Sequence, residues 1–231
     1  MGLKMNAALT ISAASPSVGT SHHVSSRDIL LRGDMGSAAA PVPSLVPPDE
    51  AGSRGAPIEG ATLFSITAEQ PGDEAGREAL LDRAMGPGRK RKSSERLRRG
   101  RRPSEGLALV AKDEGGALAG TVRLWDVRLG DGQRVLLLGP LAVEPSARSL
   151  GIGAALMRRA IEEARRLGHG AILLVGDPAY YQRFGFSAGR TGDLAMPGPY
   201  ERHRFLALEL VPGSLDGARG VLRPAGRKLA A

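Results

Sequence analysis

The chain reads as an α/β protein on a mixed, largely antiparallel central sheet that splays between its two middle strands and is flanked by helices. Three observations predict this. The run Val135 to Val143 is almost wholly apolar, which is the signature of a strand covered on both faces, and Gly139-Pro140 interrupts it. Proline lacks an N–H and is excluded from the middle of a regular ladder, so a bulge or bend is expected there, with Leu141 to Val143 diverging from the neighbouring strand. Next, Ile152, Leu156, Ala160, Ile161, Ala164 and Leu167 fall on one helical face, and Ala171 to Val175 follows as a second buried strand. Finally, the segments 107–112 and 117–127 are punctuated by Asp113-Glu114-Gly115-Gly116 and Gly130-Asp131-Gly132, so that antiparallel strands lead into the apolar one.

Residues 1–57 are rich in Ser, Ala, Gly and Pro without a sustained period and are expected to be a disordered extension. The apolar stretch Ala7 to Ala14 is too short and too diluted by Thr and Ser to read as a signal peptide. His22-His23 in the same extension has no third ligand nearby, so no metal site is expected. The domain proper, residues 58–212, opens with a strand at Ala61 to Thr67, where Leu63, Phe64 and Ile66 supply β-forming side chains. A helix over 73–85 follows, with Ala75, Ala79, Leu80 and Ala84 on its apolar face, and Gly86-Pro87-Gly88 ends it.

From Arg89 to Arg102 there are nine Lys or Arg and one acid, Glu95, a net +8 that equals the charge of the whole 231-residue chain. The basic character is therefore local. It fits a solvated helix, attraction of a substrate or cofactor, or contact with nucleic acid; the last is disfavoured because no aromatic residue stands among the arginines to stack a base. After the central unit, 192–200 reads as a loop-rich passage, Arg204 to Val211 as a final strand, and 213–231 as a coil tail.

Composition sets outer bounds. A hydrophobic fraction of 42% is ample for one core, and the absence of cysteine excludes disulfides, thiolate nucleophiles and zinc-thiolate sites. It is also compatible with a reducing compartment, and a cytoplasmic location is expected. No run of eighteen apolar residues occurs, so no membrane partner is expected.

Chemistry concentrates between the two apolar strands. A strand that feeds a helix through Arg148-Ser149-Leu150-Gly151-Ile152-Gly153 leaves several backbone N–H groups unpaired at the positive end of the helix dipole, an anion site that a pyrophosphate fits; on these glycines alone a purely structural tight turn is the alternative. The loop is neither a dinucleotide fingerprint, since position 156 is Leu, nor a Walker loop, since no Gly-Lys-Ser/Thr follows. Downstream, four of the eight aromatic residues, Tyr180, Tyr181, Phe184 and Phe186, fall within seven positions.

The pattern Arg148-x-x-Gly151-x-Gly153 between an apolar strand and a helix, followed one strand later by Tyr181-Gln182-Arg183-Phe184-Gly185-Phe186, resembles the GNAT-type N-acetyltransferase superfamily. Leu138-Gly139-Pro140-Leu141-Ala142-Val143 and Gly176-Asp177-Pro178-Ala179-Tyr180-Tyr181 are similar to a bacterial branch of uncharacterised acetyltransferases, and the resemblance covers roughly residues 58–212. It departs at Leu150, where relatives commonly carry a basic or polar residue.

The resemblance implies transfer of an acetyl group from acetyl-CoA, used as cosubstrate without a metal, to a primary amine that attacks the thioester directly. It implies that Leu141, Ala142 and Val143 offer backbone to the pantetheine arm, and that Arg148, Ser149, Leu150, Gly151, Ile152, Gly153 and Ala154 cradle the pyrophosphate. Tyr181 is then the acid that protonates the departing thiolate, and Tyr180 is expected to face the core. Glu144, Asp126 and His203 are candidates for a general base, beside a base reached through water. The amine acceptor is unidentified and the chain is expected to be a monomer or homodimer. A second reading is a catalytically degenerate fold that uses segment 89–102 to bind nucleic acid or an acidic partner.

Overall fold

The computed structural model describes residues 64–229; the expected extension, its histidine pair and the first residues of the first strand lie outside them. Strand β1 (Phe64–Ala68) leads through a short 3-10 turn into helix α1 (Glu74–Met85), which ends at Gly86 with φ +73°. The basic segment is not one helix. It is a 3-10 turn, Pro87–Arg91, followed by the single-turn α2 (Glu95–Arg98). Strands β2 (Ala108–Asp113), β3 (Leu118–Arg128) and β4 (Arg134–Val143) then run antiparallel, and helix α3 (Ile152–Arg166) returns the chain to β5 (Ala171–Val175), parallel to β4. The one-turn α4 (Pro178–Tyr181), β6 (Asp193–Ala195), β7 (Phe205–Glu209), β8 (Arg219–Val221) and β9 (Arg223–Pro224) complete it.

The main sheet has the order β1-β2-β3-β4-β5-β7, with β9 on the far end of β3, and only the β4–β5 pair is parallel. Its α3 face buries Leu124, Leu136, Leu138, Ile172 and Leu174 against Leu156, Met157 and Ala160 of the helix. The opposite face carries α1 and α2, with Leu80, Leu81 and Leu97 buried under them.

Two features of the sheet position the site. Val122 pairs with Leu141 and Leu124 with Leu138, so Gly139 and Pro140 together stand opposite the single residue Arg123, which is the bulge expected from Gly-Pro. The indole N–H of Trp125 donates to the Gly139 carbonyl at 2.5 Å, giving the displaced carbonyl a partner. Second, β4 and β5 pair only at Leu136–Ile172 and Leu137–Leu173. Beyond these the strands part, and Gly139 to Val143 have no partner on β5.

Two expectations are corrected. Residues 213–229 of the expected coil tail do not run off as coil: β8 pairs with β6 in a second, two-stranded parallel sheet, and Leu215, Ala218 and Leu222 are buried beside Leu194 and Phe205. The passage 192–200, expected as loop-rich with no strand named in it, contains the three-residue β6. Strand β6 buries only Leu194, and β8 buries no side chain, its Val221 being exposed, so neither shows a period.

Candidate active site

The parting of β4 and β5 opens beside the N-terminus of α3. Gly151 precedes the helix in the left-handed conformation (φ +78°), and Ser149 also has a positive φ of 74°. These turns bring the chain from the end of β4 sharply into α3. Among the described residues no backbone or side-chain acceptor takes the N–H groups of Gly151, Ile152, Gly153 or Ala154. They face a cavity of about 290 Å³ lined by Val143, Ala147, Arg148, Ser149, Gly151, Ile152, Gly153, Ala154, Tyr180 and Arg183.

The two glycines act differently. Gly151 has open space around it and is required by its φ, whereas a Cβ at Gly153 would stand 2.9 Å from the Tyr180 hydroxyl and 3.4 Å from Val143 Cγ2. Tyr180 therefore does not turn fully into the core as expected; its hydroxyl reaches over the first turn of α3. Arg183, in the 3-10 turn (Gln182–Phe184) that follows α4, stacks its guanidinium 4.1 Å above the Tyr180 ring. The sequence reading missed both residues. The i,i+3 spacing of Tyr180 and Arg183 is the signal that links them once either is placed at the cavity. With Arg148 and the helix dipole, Arg183 makes this cavity a place for negative charge.

Of the residues expected around a bound cofactor, Val143, Arg148, Ser149, Gly151, Ile152, Gly153 and Ala154 come together here. Leu141 and Ala142 do not line the cavity; Ala142 packs its side chain against Leu80 and Leu81 of α1. Leu150 points away and is 44% exposed.

Tyr181 also stands outside that cavity. Asp177 caps α4 by accepting from the Ala179 N–H at 3.2 Å, Pro178 begins the helix, and the turn lays the Tyr181 ring on Gly176 at the end of β5. The fit there is tight: a Cβ at Gly176 would lie 2.2 Å from Tyr181 Cε2. Tyr180 and Phe186 pack edge-on against the ring at centroid separations of 4.9 and 6.0 Å. Burial, with a further push from the neighbouring Tyr180, drives the Tyr181 phenol up to about 12, while Arg204 works in the opposite direction. Arg204 itself donates to the Gly176 carbonyl at 3.3 Å.

None of the candidate bases reaches this region as a free group. Arg83 holds Glu144, with its Nη2 2.7 Å from Oε2. Asp126 accepts from Ser104 at 3.2 Å on the length of β3 beyond the bulge, and His203 is exposed beside Glu201. Among the described residues no group of three or more His, Cys, Asp or Glu gathers as a metal set. No helix among them is long and apolar enough to cross a membrane.

A parallel β-α-β unit whose strands part beside a glycine-opened helix N-terminus, set in an otherwise antiparallel sheet, is the architecture of an acetyltransferase. The chain belongs to the Acetyltransferase (GNAT) family, whose profile matches residues 76–186, and the protein is accordingly an acyltransferase. It is 30% identical over 161 residues to the uncharacterized N-acetyltransferase YhbS of Escherichia coli K12, covering 68% of this chain and 93% of that one. The structure of YhbS in complex with CoA superposes with a TM-score of 0.62 at 28% identity, over 73% of this chain and 93% of YhbS. A GNAT family acetyltransferase from Brucella melitensis, solved with acetyl-CoA, gives 0.52 at 25% identity over 71% and 97% of the two chains.

Proposed function

We propose that the protein transfers the acetyl group of acetyl-CoA to a primary amine, with the pyrophosphate seated on the N-terminus of α3 and the thioester at the β4 bulge. One observation carries this: β4 loses its partner after Leu137 beside unpaired N–H groups of α3 and two arginines. An extended pantetheine arm can pair with Leu141 to Val143 as an added strand. The CoA and acetyl-CoA complexes of the two similar structures support the same ligand here.

The reaction balances without a metal. The amine nitrogen attacks the thioester carbonyl, the C–N bond forms and the C–S bond breaks, the amine proton leaves through water, and the thiolate departs with a proton or a hydrogen bond from Tyr181. With the phenol at about 12 it enters the reaction protonated. Complete transfer to an ordinary thiolate of pKa ~8.5 would run uphill by about 5 kcal/mol, so Tyr181 contributes chiefly by donating a hydrogen bond to sulfur as charge develops. Arg204 lowers that cost.

Incubation with acetyl-CoA and a panel of amines, read by CoA thiol release and by mass of the acetylated product, tests the reading. Tyr181→Phe should lower kcat at least tenfold with little change in acetyl-CoA affinity. Wild-type turnover by Tyr181→Phe would remove that residue from the mechanism, whereas wild type that binds acetyl-CoA but acetylates nothing would favour a degenerate, binding-only fold.

A further inference from the structure

The basic segment 89–102 folds over the sheet on the face opposite α3, and it walls a groove that begins at the bulge. This groove, about 380 Å³, has Trp125 and Pro140 at the bulge end and opens into a neighbouring cavity of about 400 Å³ that shares Arg77, Arg101 and Arg123 with it. Arg98 reaches the bulge: its Nη1 is 3.7 Å from where a Cβ on Gly139 would lie. An acceptor amine approaching the bulge from the face away from α3 passes along this wall.

The charges on the wall are of two kinds. Arg77, Arg89 and Arg123 are committed to a network with Glu69, Glu78 and Asp82, and Arg98 is held by Glu95 at 2.6 Å. Lys90, Arg99 and Arg101 line the same groove, and among the described residues none of them pairs with a carboxylate; Arg101 donates only to the Gly226 carbonyl and Arg99 to that of Lys90. The surplus at the groove is therefore cationic. It favours an incoming anion and disfavours an ammonium group, so an amine carried on a polycation is repelled twice, in approach and in residence.

Size and chemistry restrict the ligand further. The cavities fall in the range of small-molecule sites, and the one aromatic residue at the groove, Trp125, is 6% exposed, which leaves no platform for a base. We propose that the groove admits small acceptors whose primary amine is carried on an anionic body, with a carboxylate or phosphate bound by Lys90 and Arg99. This rests on the acetyltransferase reading above and names the substrate class of that site.

The test compares matched acceptors at low salt: phosphoethanolamine with ethanolamine, glutamate with its diamide, and spermidine as the polycation. The charged member of at least one pair should have a kcat/KM tenfold or more above its partner, and spermidine should be the poorest; which pair shows it assigns phosphate or carboxylate. The exposed double variant Lys90→Gln/Arg99→Gln should lose that preference while acetyl-CoA affinity, measured by calorimetry, stays within twofold.

Preference for a neutral acceptor or for spermidine, or a preference for the anion that survives in the double variant, overturns the proposal. Where no acceptor in the panel turns over, calorimetric titration of phosphoethanolamine and of glutamate into CoA-saturated protein decides. Binding lost in the double variant supports the groove, and no binding overturns it. Failure of wild type to bind acetyl-CoA overturns the acetyltransferase reading instead, and with it this one.

Discussion

Gly176→Ala is the perturbation that probes the placement of Tyr181 without touching its hydroxyl. Gly176 has no positive φ, so alanine is conformationally acceptable, but its Cβ would lie 2.2 Å from Tyr181 Cε2, 2.8 Å from Cδ2 and 3.1 Å from Cζ. Carbon atoms in contact sit at about 3.5–4.0 Å, so the ring must retreat by more than ~1 Å. Tyr180 and Phe186 stand edge-on against it, so the retreat also disturbs them. Overpacking of this kind costs about 1–3 kcal/mol of stability, which a folded domain survives, while a misplacement of ~1 Å at the reacting atoms can lower the rate about a hundredfold. Steady-state thiol release at saturating acetyl-CoA should show kcat down by ~10- to 100-fold. Calorimetry should show acetyl-CoA bound within about threefold of wild type, and thermal melting should show a cooperative fold. A folded Gly176→Ala protein that turns over at the wild-type rate would refute the claim that the position of Tyr181 governs the reaction.

Two further outcomes concern the platform under the acceptor groove. Arg77 and Glu69 have side chains only 4% and 6% exposed and hold each other between α1 and the strands. Arg77→Met should cost about 3 kcal/mol in urea unfolding, because Glu69 and Glu78 each lose a buried cation; a loss below ~1 kcal/mol would mean that Arg123 and Arg89 suffice. On the acid side, burial pushes Glu78 up, but hydrogen bonds from Arg89 and Arg77 outweigh it and hold its carboxyl below the ordinary range; Lys112 and the Gln70 N–H hold Asp73 low as well. Groups with depressed native pKa values contribute stability above their unfolded pKa and lose it as pH falls. Melting temperature should therefore decline below about pH 4.5, and a flat profile from pH 5 to 3 would contradict the pairing.

Much of the scaffold was legible because its signals were redundant. Val135 to Val143 carried both an apolar run and a proline that no regular ladder accepts, so strand and bulge could be read together, and five of six spaced residues announced the buried face of α3, the sixth, Leu167, being its exposed C-cap. Its glycines marked the right loop for reasons the sequence could not separate: one fixes a left-handed turn, the other admits the Tyr180 hydroxyl. Adjacent tyrosines on a one-turn helix project about 100° apart, and only the packing of Gly153 and Gly176 decides which goes where. The second sheet and the folded C-terminal segment were illegible because strands of three residues have no period, and Leu215, Ala218 and Leu222 become a buried stripe only against β6 and β7. The basic segment misleads in another way. Its charge count suggests a solvated surface, yet Arg89 is buried in a network whose carboxylates belong to α1.

The central claim is that the first turn of α3 holds the diphosphate of acetyl-CoA, and calorimetric titration of acetyl-CoA into three proteins tests it most directly. Wild type should bind saturably at one site. Gly151→Asn, which tolerates the left-handed conformation, should bind within about fivefold, and Gly151→Glu, which brings a carboxylate to the anion site, should bind at least a hundredfold more weakly. Equal binding by Gly151→Glu and wild type, or no binding by a folded wild-type protein, would contradict the account.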